Sequence, residues 1–433
     1  MLKESLEKYF DRLWPLNRSL TGNANRETLG ILSEIIDLKI SEIPSGTECF
    51  DWKVPPEWNV KEAWIKDGSG KIIVDFRKNN LHLLGYSTGF SGKMELKLLK
   101  EHLYSLPAQP DVIPYLTSYY KRKWGFCITY RQLKELSEDT YEVFIDADLN
   151  ENGSMTIAEA VIKGETEEEV LLSTYICHPS MANNELSGPL VTAFIFNELK
   201  KSGRKKYTYR FLFLPETIGA VYYLSVNGEE LKKKLIAGYV VTCAGDRGNF
   251  TYKRSRNGNS AADRAAEIML KQKEKEYIIE DFFPTGSDER QYCSPGYDLP
   301  VGSLMRTRYG KYNEYHTSAD NKEFISFERM EDTVRMYLDI INVIEKNAYY
   351  KNLKPYCEPQ LGKYGLYPEI GSDKDTAETV SSLMWALNLS DGMNDLITIS
   401  EKSGTEFEKI AEACEILEKK GILEKRIIKN QKL

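Results

Sequence analysis

Histidine is scarce in this chain: 433 residues contain only His82, His102, His178 and His316. Any chemistry that needs imidazole must draw on these four. The seven cysteines (Cys49, Cys127, Cys177, Cys243, Cys293, Cys357 and Cys414) are spread singly, with no CxxC pair. That pattern excludes a disulfide framework and a cysteine zinc knuckle, and it is expected of reduced thiols in a cytoplasmic protein. No apolar run approaches the ~20 residues a membrane-spanning helix needs. The N-terminus, MLKESLEKYFDRLW, is charged and amphipathic and lacks the apolar centre of a signal peptide. Excess positive charge is missing too. A net charge of −7 favours solubility and argues against a partner with a phosphate backbone.

What is present is a regular α/β pattern. The hydrophobic fraction of 41% suffices for a large core. The runs 170–177, 207–215 and 237–243 are apolar on both faces, as in buried sheet strands. Helical periodicity at 189–200, 219–233 and 260–272 separates them, and 326–346 reads as a long amphipathic helix. The expected fold is therefore a mixed central sheet covered by helices. Before it, 4–13 and 26–36 read as helices, and 141–147 and 155–162 alternate like a hairpin. Residues 52–135, with Trp52, Trp58, Trp64 and several prolines, read as an inserted, aromatic-rich, mostly β subdomain. After a Pro/Gly/Tyr-rich linker at 354–368, the order helix, helix, helix, strand predicts a winged helix-turn-helix. The expected domains are 1–51 with 136–350, the insert 52–135, and the winged helix 360–433.

Two motif matches carry no chemistry. Gly85-Tyr86-Ser87-Thr88-Gly89 fits a nucleophile elbow, but Phe90-Ser91-Gly92 delays the helix that the elbow needs. Asp148-Leu-Asn150-Glu-Asn152-Gly153 with Glu159 fits a calcium loop, but its flanks alternate as strands and Asn152-Gly153 is a hairpin turn.

The ends of the predicted strands form the constellation of interest. His178 follows one strand, Glu216 the next and Asp246 the third, and His316 comes from a later loop. Catalytic zinc takes about three His, Asp or Glu ligands and leaves one position open, and such ligands converge at the carboxyl edge of an α/β sheet. Each also has a plainer explanation: a hydrogen-bonded histidine, a carboxylate at a helix start or a turn residue. Arg306 and Tyr309, in a basic segment before His316, could bind a substrate carboxylate or belong to a solvated loop. Tyr119, Tyr120 and Trp124 could cover a pocket, stack on a sugar or pack the insert's core.

The segments Ala182-Asn183-Asn184-Glu185-Leu186-Ser187-Gly188 and His316-Thr317-Ser318-Ala319-Asp320, with Gly286-Ser287-Asp288, resemble the co-catalytic zinc aminopeptidases, a superfamily that includes glutaminyl cyclase-like proteins. The whole chain resembles a bacterial aminopeptidase-like subgroup with an inserted β subdomain and a C-terminal winged helix, associated with polysaccharide biosynthesis. The resemblance implies a metal site at His178, Asn184, Glu216, Asp246 and His316. It places Ser180 and Asp320 behind the ligands and Asp288 near the substrate. It also implies departures. The family's bridging aspartate is Asn184 here, its ligand-orienting aspartate is Ser180, and its Glu-Glu pair is Glu216-Thr217. Glu216 then serves either as general base or as ligand, and one zinc ion is expected rather than two.

The function expected from this is a cytoplasmic zinc-dependent hydrolase of aminopeptidase type, a metalloprotease-like enzyme acting on a peptide or an amide-bearing sugar precursor. The alternatives are a catalytically degenerate relative with a binding or assembly role and a winged-helix transcriptional regulator. The last meets an unfavourable charge. From Ser381 to Leu433 there are eight Lys/Arg against nine Asp/Glu, whereas a DNA reader presents a basic face. A homo-oligomer through the C-terminal domain is the expected partner role, with no nucleic acid and no membrane.

Overall fold

Every residue from Glu169 to Tyr175 is buried, so this strand is covered on both faces, as the unbroken apolar run predicts. It lies in an eight-stranded sheet of the computed structural model, which describes residues 2–137, 139–366 and 374–426. We number its strands β1 (Lys39–Pro44), β2 (Ser154–Ile162), β3 (Glu169–Tyr175), β4 (Thr208–Leu214), β5 (Leu235–Val240), β6 (Phe250–Lys253), β7 (Tyr277–Glu280) and β8 (Val301–Met305). Their order is β1-β2-β4-β3-β5-β8-β6-β7. The four central strands β4, β3, β5 and β8 are parallel, and antiparallel pairings flank them. Parallel neighbours require crossovers. The helices Ser187–Lys201 and Ile218–Lys234 supply two, close to their expected positions. Val170, Leu171 and Leu172 are fully buried, each stabilising the sheet by about 1.5–3 kcal/mol.

The expected hairpin is absent. Thr140–Asn150 pairs with Glu57–Lys66 and Phe90–Glu95 in a separate four-stranded sheet with Ile72–Asp75, while β2 pairs with β1 and β4. Each strand has both edges occupied, so neither is free to pair with the other across the turn at Asn150–Gly153. The sheet of the insert thus extends past residue 135 to Asn150. Asn150 Oδ1 accepts the amide of Asn152 at 3.0 Å, an Asx turn between strands rather than a calcium loop. Ser87 is fully buried and donates to Leu84 O at 2.6 Å, and a strand, not a helix, follows it.

The chain divides into two compact units, residues 1–263 with 276–337, and 264–275 with 338–433. The second contains the helices Lys374–Leu389, Leu396–Ser403 and Phe407–Lys419 and a three-stranded sheet ordered Asp391–Asp395, Tyr349–Asn352, Leu423–Arg426. The winged-helix sheet therefore takes its central strand from before the expected linker and before residue 360. The end of that linker at Pro368 and the segment 427–433 lie outside the described residues. Six cysteines are buried and Cys357 is exposed. Among the described residues no helix is long and apolar enough to cross a membrane.

Close backbone approach fixes where the helix after β3 begins. A Cβ on Gly188 would lie 2.4 Å from Val241 O and 2.6 Å from Thr174 Oγ1. We expect Gly188→Ala to destabilise the protein by about 1–3 kcal/mol, the range for overpacking a filled core. Chemical denaturation checks this, and an unchanged midpoint would refute it.

Candidate functional site

The central strands run in parallel, so their C-terminal ends open on one edge of the sheet. β3 leads to His178, β4 to Glu216, β5 to Cys243 and β8 to the loop carrying His316. The backbone at this edge is unusual. Ser180, Thr217, Cys243 and His316 have φ of 45°, 66°, 47° and 54°, and Ala182–Leu186 forms one turn of π-helix. Left-handed backbone at a non-glycine residue costs about 1–3 kcal/mol and gathers at functional sites, as π-turns do.

His178 is held from behind. Its Nδ1 lies 2.8 Å from Glu185 Oε2. The same oxygen accepts the amides of Cys177, at 2.8 Å, and of His178 itself. Glu185 Oε1 accepts Arg18 Nε at 2.7 Å, and both side chains are fully buried. Nε2 of His178 points the other way and lies 3.7 Å from Glu216 Oε2. Burial opposes charge on His178, but the hydrogen bond and charge of Glu185 outweigh it and raise the pKa.

His316 Nε2 lies 3.1 Å from Asn184 Oδ1, and its ring centroid is 5.5 Å from that of His178. Burial, reinforced by the charge of His178, pushes its pKa down to about 3, so this imidazole is neutral. Asp320 closes the arrangement from beneath. Its Oδ1 and Oδ2 accept the amides of Asn183 and Asn184 at 2.6 and 2.9 Å. The insert contributes Tyr115, whose ring lies 5.1 Å from His178 and 5.2 Å from His316 and whose amide donates to His316 O at 2.8 Å. His82 and His102 are structural: one bonds Cys127 O at 2.8 Å and the other stacks on Trp124 at 3.7 Å. Trp124 also stacks on Phe90, the packing alternative for that residue.

The side chain of Glu216 is 21% exposed, and burial raises its pKa. Asp288 is buried nearby, and its Oδ1 accepts the Thr217 amide at 2.7 Å. Burial and then the charge of Glu216 push its pKa up to about 8. Arg290 donates to Thr217 Oγ1 at 2.6 Å, occupying the hydroxyl that stands where the resemblance places a carboxylate ligand.

Three expected site residues have other work. Asp246 accepts from Asn183 Nδ2 (2.8 Å), Gly248 N (2.7 Å), Thr307 N (3.0 Å) and Thr307 Oγ1 (2.7 Å). Both its oxygens are engaged, so it fastens two loops instead of presenting a ligand. Arg306 is buried, bonded to Thr333 Oγ1 and Arg329 O and stacked 3.7 Å from Phe250, so it cannot reach a substrate. Tyr309 bonds Lys253 Nζ (3.0 Å) and Glu289 Oε1 (2.8 Å), so its hydroxyl is engaged within the fold. Ser180 is buried, but the bond to His178 Nδ1 comes from Glu185 instead. Sequence reasoning missed Glu185 and Arg18. The available signal was an acid seven residues beyond His178, inside the polar turn.

Among the described residues, donor atoms of Cys177, His178 and Glu185 lie within 4.8 Å of one another and could hold a metal. All three are already engaged, His178 through its Nδ1 bond to Glu185. Glu185 carries the bonds above, and Cys177 Sγ accepts the Glu216 amide at 3.2 Å. Burial, then the charges of Glu185 and Glu216, hold that thiol well above its ordinary pKa. The donors facing forward are His178 Nε2 with Glu216, and His316 Nε2 with Asn184 Oδ1. Two ligands on a tetrahedral zinc with bonds near 2.0–2.1 Å stand about 3.3 Å apart, which both pairs approach. The forward donors are thus two imidazoles, an amide oxygen and one carboxylate, all of types that zinc takes, in two pairs.

A mixed sheet with this carboxyl-edge site defines an aminopeptidase-like fold. The Bacillus subtilis zinc aminopeptidase BSAP superimposes with a TM-score of 0.59 at 12% identity, over 79% of this chain and 94% of that one. A peptidase M28 precursor from Shewanella amazonensis gives 0.55 at 13% identity, over 79% and 92%. More particularly, residues 7–347 match the family described as a domain of unknown function, DUF4910, and this chain belongs to it. Residues 348–425 match a winged helix-turn-helix family. A Clostridium acetobutylicum protein named "Putative polysaccharide biosynthesis protein with aminopeptidase-like domain" is 48% identical over 407 residues, 94% of this chain and 93% of its own. A crystal structure of a "putative peptidase" from Clostridium acetobutylicum matches with a TM-score of 0.92 at 45% identity, over 98% of this chain and 96% of that one.

The Asp288 pKa gives a pH prediction. A folded value of about 8 exceeds the unfolded value of ~3.9, so the folded state retains a proton that the unfolded state releases. The associated stability is complete below about pH 4 and is lost as pH rises toward 8. Asp288→Asn, which keeps an acceptor for the Thr217 amide, should flatten the decline between pH 5 and 8 in chelator-treated protein. Parallel denaturation curves for both proteins would contradict this.

Proposed function

We propose that the protein is a zinc-dependent hydrolase of aminopeptidase type, cleaving an amide bond in a peptide or an amide-bearing sugar precursor. One observation carries the reading: His178 is fixed through Nδ1 by a buried carboxylate while its Nε2 faces Glu216 at 3.7 Å. A histidine ligand with a carboxylate behind it is the usual construction of a catalytic metal site. His178 and His316, each through Nε2, and Asn184, through its amide oxygen, would hold the ion. When bound, zinc supplies Lewis acidity to a substrate carbonyl and acidifies water.

The remaining work falls to this chain's side chains. Glu216 accepts the proton of the attacking water and delivers it to the leaving amine. Burial brings its pKa closer to the working pH, as general-base chemistry prefers. Asp288 and Arg290 hold the backbone and hydroxyl of Thr217 and so fix the turn that presents Glu216. Tyr115 packs on both imidazoles and limits water behind them. The name of the Clostridium relative, with its polysaccharide biosynthesis and aminopeptidase-like domain, is compatible with either substrate. A second reading, a pocket that binds without catalysis, is favoured by the neutral Asn184 and Thr217 where the resemblance places carboxylates.

Metal content separates the two. Protein purified without chelator should contain about one equivalent of zinc, lost in His178→Ala and in His316→Ala. Glu216→Gln should retain the metal and lose about 10²–10⁴-fold in amide hydrolysis, the usual worth of a general base. A well-folded protein free of metal would overturn the hydrolase reading. Loss of metal in Glu216→Gln would make Glu216 a ligand.

A further inference from the structure

We infer that Arg18 is a positioning residue of the metal site, acting through Glu185 on His178. The inference rests on the metal-site reading of the preceding subsection. A carboxylate stands behind His178: Glu185 Oε2 meets Nδ1 at 2.8 Å.

A glutamate has more torsional freedom than an aspartate and must itself be held. Two backbone amides and Nδ1 converge on Oε2, so this end of the carboxylate cannot choose its own plane. Arg18 fixes the other end, with Nε 2.7 Å from Oε1. The guanidinium is anchored in turn by Nη1, which donates to Leu13 O at 2.6 Å at the end of the helix Leu2–Leu13.

The arrangement is costly for Arg18 itself. Its side chain is fully buried, and Nη2 has no hydrogen-bond partner among the described residues. A buried donor left unpaired destabilises a fold, so the position is not explained by the arginine's own satisfaction. What it secures is the direction of Oε2, and thereby the tautomer and ring plane of His178. With Nδ1–H committed to Glu185, the lone pair of Nε2 is presented on the Glu216 side. An acceptor behind a ligating histidine raises its basicity and fixes its orientation, and its loss typically weakens metal affinity 10–100-fold. The N-terminal segment is on this account part of the site, although it lies more than 150 residues from His178 in sequence.

The test uses the full chain, stripped with chelator and titrated with Co²⁺ and Zn²⁺. Affinity is measured by competition and coordination by the Co²⁺ visible absorption. Arg18→Met should weaken affinity about 10–100-fold and alter the Co²⁺ spectrum, and Arg18→Lys should restore part of both. The melting temperature of the metal-free variants serves as the control for folding. Should Arg18→Met not fold, Glu185→Gln carries the same test with its volume preserved. A folded Arg18→Met or Glu185→Gln with wild-type affinity and spectrum overturns this inference alone. A wild-type protein that takes up neither ion overturns the metal-site reading and this inference with it.

Discussion

The buried carboxylate of Glu185 is the constraint around which the site is built. A fully buried ionised group survives only where donors replace its lost hydration. Here the donors come from three places: the strand end at Cys177 and His178, the His178 ring, and Arg18 near the N-terminus. These bonds tie β3, the π-turn at Ala182–Leu186 and the N-terminal helices to a single point. Removing one partner leaves the other charge uncompensated, which for a buried pair costs about 3–5 kcal/mol. The geometry of His178 is thus secured by the same bonds that hold the first helices onto the sheet.

Around that point the edge of the sheet is under strain. Four non-glycine residues there adopt left-handed backbone, and the loops that carry them are cross-linked by buried carboxylates. Asp320 draws the amides of Asn183 and Asn184 inward. Asp288 and Arg290 hold Thr217 by its amide and hydroxyl. Asp246, on the β5 loop, joins the π-turn after β3 through the Asn183 side chain and the β8 loop through Thr307. Three carboxylates thus do positional work, each linking one loop to another.

The fold was legible in the sequence because it rests on long-range repetition. The apolar runs that became β3, β4 and β5, and the helical periodicities between them, required no knowledge of partners. Pairing was less legible. Thr140–Asn150 and β2 alternate equally well, and only the presence of free partners elsewhere decides that they join different sheets. The site was legible where a residue type is rare: His178 and His316 stand out among four histidines, and Glu216 follows an apolar strand. It was illegible where a common residue type could serve in several ways. Asp246 and Glu185 are both acids after a β-strand. Their roles differ because Asp246 meets four short-range donors while Glu185 faces the imidazole. Arg306 reads in sequence as a substrate-binding or solvated cation, yet the flat ring of Phe250 and the helix end at Arg329 accommodate it in the core.

Asn184 and Thr217 stand where the resemblance places acids, and their neutrality shapes the electrostatics of the pocket in a definite direction. Each absent carboxylate means one negative charge fewer in a low-dielectric region, where like charges repel strongly. The remaining acids already resist ionisation: burial, then the charge of Glu216, raises Asp288 to about 8, and burial raises Glu216. Two further carboxylates would be tolerable only with more positive charge to offset them, which is what a second dication provides. On the proposed reading, with Asn184 and Thr217 neutral, one dication suffices, and this also favours Glu216 as base over Glu216 as ligand. A ligand carboxylate is most useful when firmly ionised, whereas a partly exposed glutamate with a raised pKa is suited to accepting a proton. Asn184, its amide oxygen already directed at His316 Nε2, then fills the ligand position without adding charge.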